Sequence, residues 1–293
     1  MTQPLDPFGP APRGSWCGHG VRVARRVGRH RGSCGPNSLC TSRFCVSRTK
    51  GELVVLHDLA ADELCDELAV LLADELDAPG TVLRGQRDFE LVFTGIVRST
   101  VDGALPAWLR FYRNSLDRLA DGTASFSPIH DHAAALLVGS QLIDLGSCFG
   151  FFALRAVDLG MDVTATDLSE PTMDLLARVS PLLNRSLRTI GCDAAHVPVA
   201  DGSADTVTAL HLIEHLTPAA ARNVLGEAVR LARRRVIVAV PFEDEPRACY
   251  GHVQTFNRAS LWHLGSQLSE SHVDLTVAVH EHRGGWLIID RAK

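Results

Sequence analysis

Apolar positions change rhythm partway along the chain. From Leu59 to Leu76, leucines at 64, 68, 71, 72 and 76 recur at helical spacing, and Pro79-Gly80 ends the run. Residues 88–101 and 105–119 read as two further helices, the second opened by Pro106 in its first turn. Trp108, Phe111 and Tyr112 on that helix are expected in the core, or as an aromatic face for a ring or sugar. Before them, residues 44–48 and 53–57 pattern as a hairpin about Lys50-Gly51. After Asp121-Gly122, short apolar segments alternate with helical ones. Strands are expected at 142–145, 162–166, 187–192, 205–210 and 236–240, and helices at 149–159, 171–183, 218–232 and 258–268. This β-α alternation predicts a parallel sheet covered by helices. The last two strands, 273–280 and 286–290, are joined through Arg283-Gly284-Gly285 with no helix between, so one edge should be an antiparallel hairpin.

Residues 1–42 lack this patterning. They are rich in Gly, Pro, Arg and Ser and read as a basic flexible arm. Residues 43–125 then form a small, mainly helical accessory domain within an N-terminal α+β region, and residues 126–293 the α/β domain. Charge sharpens the division: the first 50 residues carry a net +8 and the remainder −13. A basic head raises contact with an anionic partner, nucleic acid included, whereas the acidic body would repel a phosphate backbone. With 46% hydrophobic residues the 293-residue chain is not disordered, and its apolar runs are too short for a membrane helix. No apolar leader follows Met1, so a cytoplasmic location without a membrane partner is expected.

Five of the eight cysteines (Cys17, Cys34, Cys40, Cys45 and Cys65) fall in the first 65 residues, with His19 and His30 nearby. Their spacing is not that of paired zinc knuckles, and reduced structural thiols are expected; zinc is the alternative.

Chemistry gathers at the strand ends, where α/β sheets bind ligands. The first strand runs into Asp144-Leu145-Gly146-Ser147-Cys148-Phe149-Gly150, a glycine turn opening a helix. Its spacing is not the dinucleotide fingerprint. Asp167 ends the second strand, placed to take both hydroxyls of a ribose, and Asp193 ends the third, placed to accept from an exocyclic amine. The fourth strand ends in His211-Leu212-Ile213-Glu214-His215, with two histidines four apart. A metal pair there lacks a visible third ligand, and no metal is expected. Glu243, Asp244 and Glu245 follow the fifth strand as sugar-binding carboxylates, an ion site or a solvated loop, and His252 lies beyond them.

On these residues the stretch from Gln141 onward resembles the class I S-adenosylmethionine-dependent methyltransferases. The resemblance rests on residues 144–150, Thr166-Asp167, residues 192–198 and residues 205–215. It implies a Rossmann-like seven-stranded, mostly parallel sheet with S-adenosylmethionine held by Asp144, Gly146, Ser147, Gly150, Asp167, Leu168, Asp193, Ala194 and His211. Gly146 would line the methionine part, Asp167 the ribose and Asp193 the adenine amine. The family usually has glycine where Cys148 stands. A narrower set, at residues 34–36, 126–130, 145–152, 240–246 and 250–256, is similar to the mycofactocin oligosaccharide methyltransferases. That resemblance implies methylation of a sugar hydroxyl on a small-molecule glycoside. Transfer to an alcohol needs a proton acceptor, and His215 is the expected base, assisted or oriented by His211 or Glu214. A packing role beside the cofactor is the plainer reading of His215. Glu243, Asp244 and His252 are the expected acceptor contacts. An RNA methyltransferase or RNA-binding protein using the basic arm is the alternative function.

Overall fold

The computed structural model describes residues 5–26, 38–49, 51–77, 83–271 and 273–292. They fall into two compact units, one of the described residues within 5–125 and 248–251, the other of those within 126–247 and 252–292.

The first unit is built on a five-stranded sheet of order β1-β2-β5-β4-β3. β1 (Ser15–Gly18) and β2 (Val21–Arg25) form an antiparallel pair. β3 (Ser38–Cys40), β4 (Phe44–Arg48) and β5 (Leu53–His57) form a meander. β2 runs parallel to β5. Two expectations are corrected here. The head is not wholly an irregular arm, because Trp16, Val21 and Val23 are buried on one face of the β1–β2 pair. The unit's thiols differ too: Cys40 and Cys45 are register partners across β3 and β4 and form a disulfide. Cys34 and His30 lie outside the described residues.

The expected helix from Leu59 to Leu76 is broken into a 3-10 turn at Ala61–Glu63, a short α1 (Leu68–Leu72) and a π turn at Ala73–Asp77. Tertiary bonds take the groups a helix would use. Asn114 Nδ2 donates to the carbonyls of Ala61 and Leu64, the Ser115 hydroxyl accepts from the Asp66 amide, and Arg43 holds the Glu63 carboxylate at 2.6 and 2.7 Å. α2 (Gly85–Thr100) and α3 (Ala104–Ala120) follow. Trp108, Phe111 and Tyr112 are fully buried core residues, with the Phe111 ring edge-on to both neighbours. α2 approaches the sheet closely at Gly95, where a Cβ would meet Val23 Cγ2 at 2.3 Å.

The second unit opens with α4 (Ser127–Leu136), for which the sequence pattern predicted no element. Then come β6 (Gln141–Leu145), α5 (Phe151–Asp158), β7 (Asp162–Asp167), α6 (Glu170–Val179), β8 (Arg188–Gly191) and β9 (Ala204–Leu210). The chain closes with α7 (Pro218–Leu231), β10 (Ala232–Val240), α8 (Arg258–Ser271), β11 (Leu275–Glu281) and β12 (Gly285–Arg291). The sheet order is β11-β12-β10-β9-β6-β7-β8. Every neighbouring pair from β10 to β8 is parallel, and β12 is antiparallel to β10 and β11, as the hairpin pattern predicted.

Alternation explains the core. Ile143, Leu145, Val207, Ala209, Val236 and Val238 pack in one cluster with Val224, Leu225, Ala228 and Leu261 from α7 and α8. Their strand neighbours Leu142, Ile237 and Ala239 are buried as well, so β6 and the second half of β10 read as continuous apolar runs, whereas β9 buries Thr206 and Thr208 between its apolar residues. Local caps set the helix starts. The Ser169 hydroxyl accepts from the Thr172 amide, the Thr217 hydroxyl from Ala220, and Asn257 Oδ1 from Ser260 at 2.9 Å. No helix among the described residues is long and apolar enough to cross a membrane.

Candidate functional site

The β6–α5 turn needs backbone that side chains resist. Gly146 and Gly150 have φ of +66° and +74°. A Cβ on Gly146 would meet Leu212 Cδ1 at 2.6 Å, and one on Gly150 would meet Leu176 Cδ2 at 2.4 Å. Between them Cys148 takes φ +50° while keeping its side chain, in a region that favours glycine. The turn is tied to β7. The Ser147 amide donates to the Thr166 carbonyl at 2.8 Å, and the Cys148 amide to Asp167 Oδ2 at 2.9 Å. Asp167 Oδ1 accepts from the Ser169 amide at 2.9 Å. Burial pushes the Asp167 carboxyl up from the ordinary range, against these two amide bonds that pull it down.

Asp144 has a different setting. It is 3% exposed and accepts from the Thr208 hydroxyl on β9 at 2.6 Å; burial raises its carboxyl to about 6. Its engagement is therefore with the neighbouring strand. Asp193 is exposed, and its Oδ1 accepts from the Ala195 amide at 2.8 Å. β8 and β7 are joined beyond their ends by the Cys192 amide donating to the Asp167 carbonyl. Leu168, directly after Asp167, is 79% exposed, an apolar surface at the site's margin.

After β9 the chain turns sharply at His211, which has φ +54° and donates its amide to the Ala239 carbonyl at 2.9 Å. The Phe126 ring stands 5.1 Å from the His211 ring. Glu214 is 1% exposed, its Oε1 3.2 Å from His211 Nδ1, without hydrogen-bond alignment for either carboxylate oxygen. His215 meets the ring of His252 edge-on at 4.8 Å. His252 Nδ1 is 2.7 Å from Glu243 Oε2. Glu243 and His252 thus come together with His215, while Asp244 and Glu245 are exposed.

Gln254 was not singled out by sequence reasoning, yet it builds this cluster. Its Nε2 donates to the carbonyls of Ile213 at 2.9 Å and Leu216 at 2.7 Å, and the Val253 amide donates to the Glu214 carbonyl. It lies in the 250–256 stretch that carries the narrower resemblance, but an amide side chain does not stand out as an acid, base or ligand, so it was not picked as a site residue. His130 and His132 on α4 diverge. His130 is buried between Phe126 and Phe152, and burial lowers its imidazole to about 3. His132 instead turns to the C-terminal hairpin, with Nε2 2.6 Å from His280 Nε2 and its ring stacked on His282.

Residues 143–240 match the family model for the methyltransferase domain. The chain is 30% identical over 168 residues to demethylmenaquinone methyltransferase from Beutenbergia cavernae, covering 50% of this chain and 66% of that protein. It therefore spans just under two thirds of that relative's length. Among solved structures, a SAM dependent methyltransferase from Aquifex aeolicus has 14% identity and a TM-score of 0.44, over 60% of this chain and 97% of that one. Magnesium protoporphyrin IX methyltransferase from Synechocystis PCC 6803 with bound SAM has 16% identity and a TM-score of 0.46, over 76% of this chain and 97% of that one.

The residues present fit S-adenosylmethionine. The side-chain-free turn at Gly146 admits close backbone approach, Asp167 offers acceptor oxygens to a ribose, and exposed Leu168 offers an apolar face to a planar base. Residues 143–240 thus match a methyltransferase domain, and S-adenosylmethionine is the cofactor that its glycine turn and Asp167 fit.

Proposed function

We propose that this domain methylates a hydroxyl of a small-molecule acceptor, and specifically a sugar hydroxyl of a glycoside such as the mycofactocin oligosaccharide. The observation that supports it is the cluster of His215, His252 and Glu243 beyond β9 and β10, in the same unit as the glycine turn. Bound S-adenosylmethionine supplies a methyl group on a positively charged sulfur, so activation of the donor is not the protein's task. An acceptor oxygen must instead lose its proton as the O–CH₃ bond forms and the S–CH₃ bond breaks, the electron pair going to sulfur. Proton removal turns on the cluster around His215. Glu243 fixes the orientation of the His252 ring, and carboxylates there are good acceptors for sugar hydroxyls. Alignment of donor and acceptor supplies most of the remaining rate.

The named relative favours a second reading, in which the acceptor is a quinol such as that of a demethylmenaquinone. It also supports a small-molecule acceptor over RNA. The test is transfer of labelled methyl from S-adenosylmethionine, in separate arms, to glucosylated mycofactocin, to demethylmenaquinol and to RNA. Label in the glycoside, with a mass gain of one CH₂ per methyl, is the expected result. Label in the quinol alone moves the acceptor to the second reading, and label in RNA alone overturns both.

A further inference from the structure

We propose that Glu214, His215 and His252 form a divalent-cation site of the first-row transition-metal type, with Zn²⁺ the best-suited ion. Each offers one ligand atom, and these atoms lie within 4.8 Å of one another. An ion with bonds of about 2.0–2.2 Å spaces its ligands up to about 4 Å apart, so small side-chain rotations close the site. Two imidazoles and a carboxylate suit Zn²⁺ and its neighbours, whereas Mg²⁺ and Ca²⁺ favour all-oxygen sets.

A second observation points to a cation independently. Glu214 is 1% exposed, and neither carboxylate oxygen has a hydrogen-bond partner; its nearest polar neighbour, His211 Nδ1 at 3.2 Å from Oε1, is not aligned for one. A buried carboxylate in that state is costly, and a cation beside it removes the cost. The frame around the cluster is also constructed. Gln254 bonds the carbonyls on both sides of the Glu214-His215 pair, and the Val253 amide bonds the Glu214 carbonyl, which carries His252 to His215. Glu243, at 2.7 Å from His252 Nδ1, is placed as the outer carboxylate that orients a ligating histidine through its other nitrogen. The third ligand was invisible in sequence because His252 lies on a separate segment.

The site rests on the hydroxyl-methylation reading for its role. Three protein ligands leave a position for the acceptor oxygen. The ion's charge then favours loss of the hydroxyl proton to solvent, and His215 serves as a ligand in place of an imidazole base.

The experiment is calorimetric titration of ZnCl₂ into chelator-treated full-length protein carrying His132→Ala, which removes the separate imidazole cluster with His280 and His282. Glu214→Gln and His252→Gln are compared in the same background, with thermal melts to verify folding and His215→Asn as a substitute should Glu214→Gln fail to fold. At least a tenfold loss of affinity in the folded variants is expected. Equal affinity in parent and variants overturns the site. Methyl transfer undiminished in chelator overturns the ion's role and leaves the methyltransferase reading intact. Metal binding that depends on these residues, with no acceptor methylated, sustains the site and defeats the acceptor reading.

Discussion

Glu243 Oε2 stands 2.7 Å from Nδ1 of His252, and the His252 ring meets the His215 ring edge-on. The carboxylate sets which imidazole nitrogen points onward, so the orientation of a loop histidine is decided from behind by a residue just beyond the end of β10. Glu243→Ala should lower kcat about tenfold to a hundredfold, as loss of such an outer partner does, with S-adenosylhomocysteine affinity unchanged. Steady-state kinetics beside calorimetry check this; an unaltered kcat would remove Glu243 from the chemistry.

Asp167 joins the glycine turn to β7 through the Cys148 amide while its remaining lone pairs are available to a ribose. Asp167→Ala should weaken S-adenosylhomocysteine binding about tenfold to a hundredfold, the range for lost hydrogen bonds to a charged group. Calorimetry returning equal affinity would sink the assignment of the cofactor site.

His215→Ala should retain cofactor binding and lose roughly a hundredfold or more in turnover, whether its imidazole takes the proton or holds an ion. Its edge contact with His252 is the basis. Full turnover in this variant would move proton removal elsewhere.

Cys148 occupies the left-handed region at φ +50° in a turn whose other bends are glycine. Cys148→Gly should relieve about 1–2 kcal/mol of backbone strain, reduced by glycine's extra freedom when unfolded. A small rise in Tm and unchanged or tighter S-adenosylhomocysteine binding are expected. A fall in Tm would show that the Cys148 side chain returns more than the strain costs.

Burial lowers the His57 imidazole to about 4, and its Nε2 lies 2.8 Å from the Ser99 hydroxyl. A folded-state value below the unfolded 6.5 means that the unfolded chain binds the proton more readily. Stability should therefore fall as pH drops from about 6.5 toward 4, by up to about 3 kcal/mol for this group. Asp144 opposes it: its raised value, about 6, lets the folded state gain stability as pH falls from about 6 toward 4. Denaturant titrations across that window should show a steeper acid loss in Asp144→Asn than in the parent. Parallel slopes would contradict this account of Asp144.

The α/β half was legible because short apolar or β-branched segments such as β6 and the second half of β10 alternate with helical ones and end abruptly in polar turns. Asp167 and Asp193 could be found that way, as acids immediately after apolar runs. The first unit was less legible. Trp16, Val21 and Val23 are too few to show alternation amid the surrounding Gly, Pro and Arg, although they bury fully against α2. The leucine spacing between 59 and 76 was genuine, since Leu64, Leu68, Leu72 and Leu76 are buried, but Asn114 and Ser115 captured the backbone groups that a continuous helix needs. The Cys40–Cys45 disulfide followed from strand register, which composition does not reveal. At the site, Glu214 and His215 were visible as a motif, whereas their partnership with His252 depended on a glutamine with no distinctive chemistry.

Near the start of the chain, the Pro7 carbonyl accepts from Trp108 Nε1 at 2.8 Å and from an Arg98 guanidinium nitrogen at 2.7 Å, both donors buried. A single backbone oxygen thus serves as the clasp for two helices, α2 and α3. Trimming the chain past Pro7 to obtain a tidier fragment would strand an indole N–H and a guanidinium in an apolar interior. The compositionally plain head is, at that one carbonyl, the fastener of the unit that follows it.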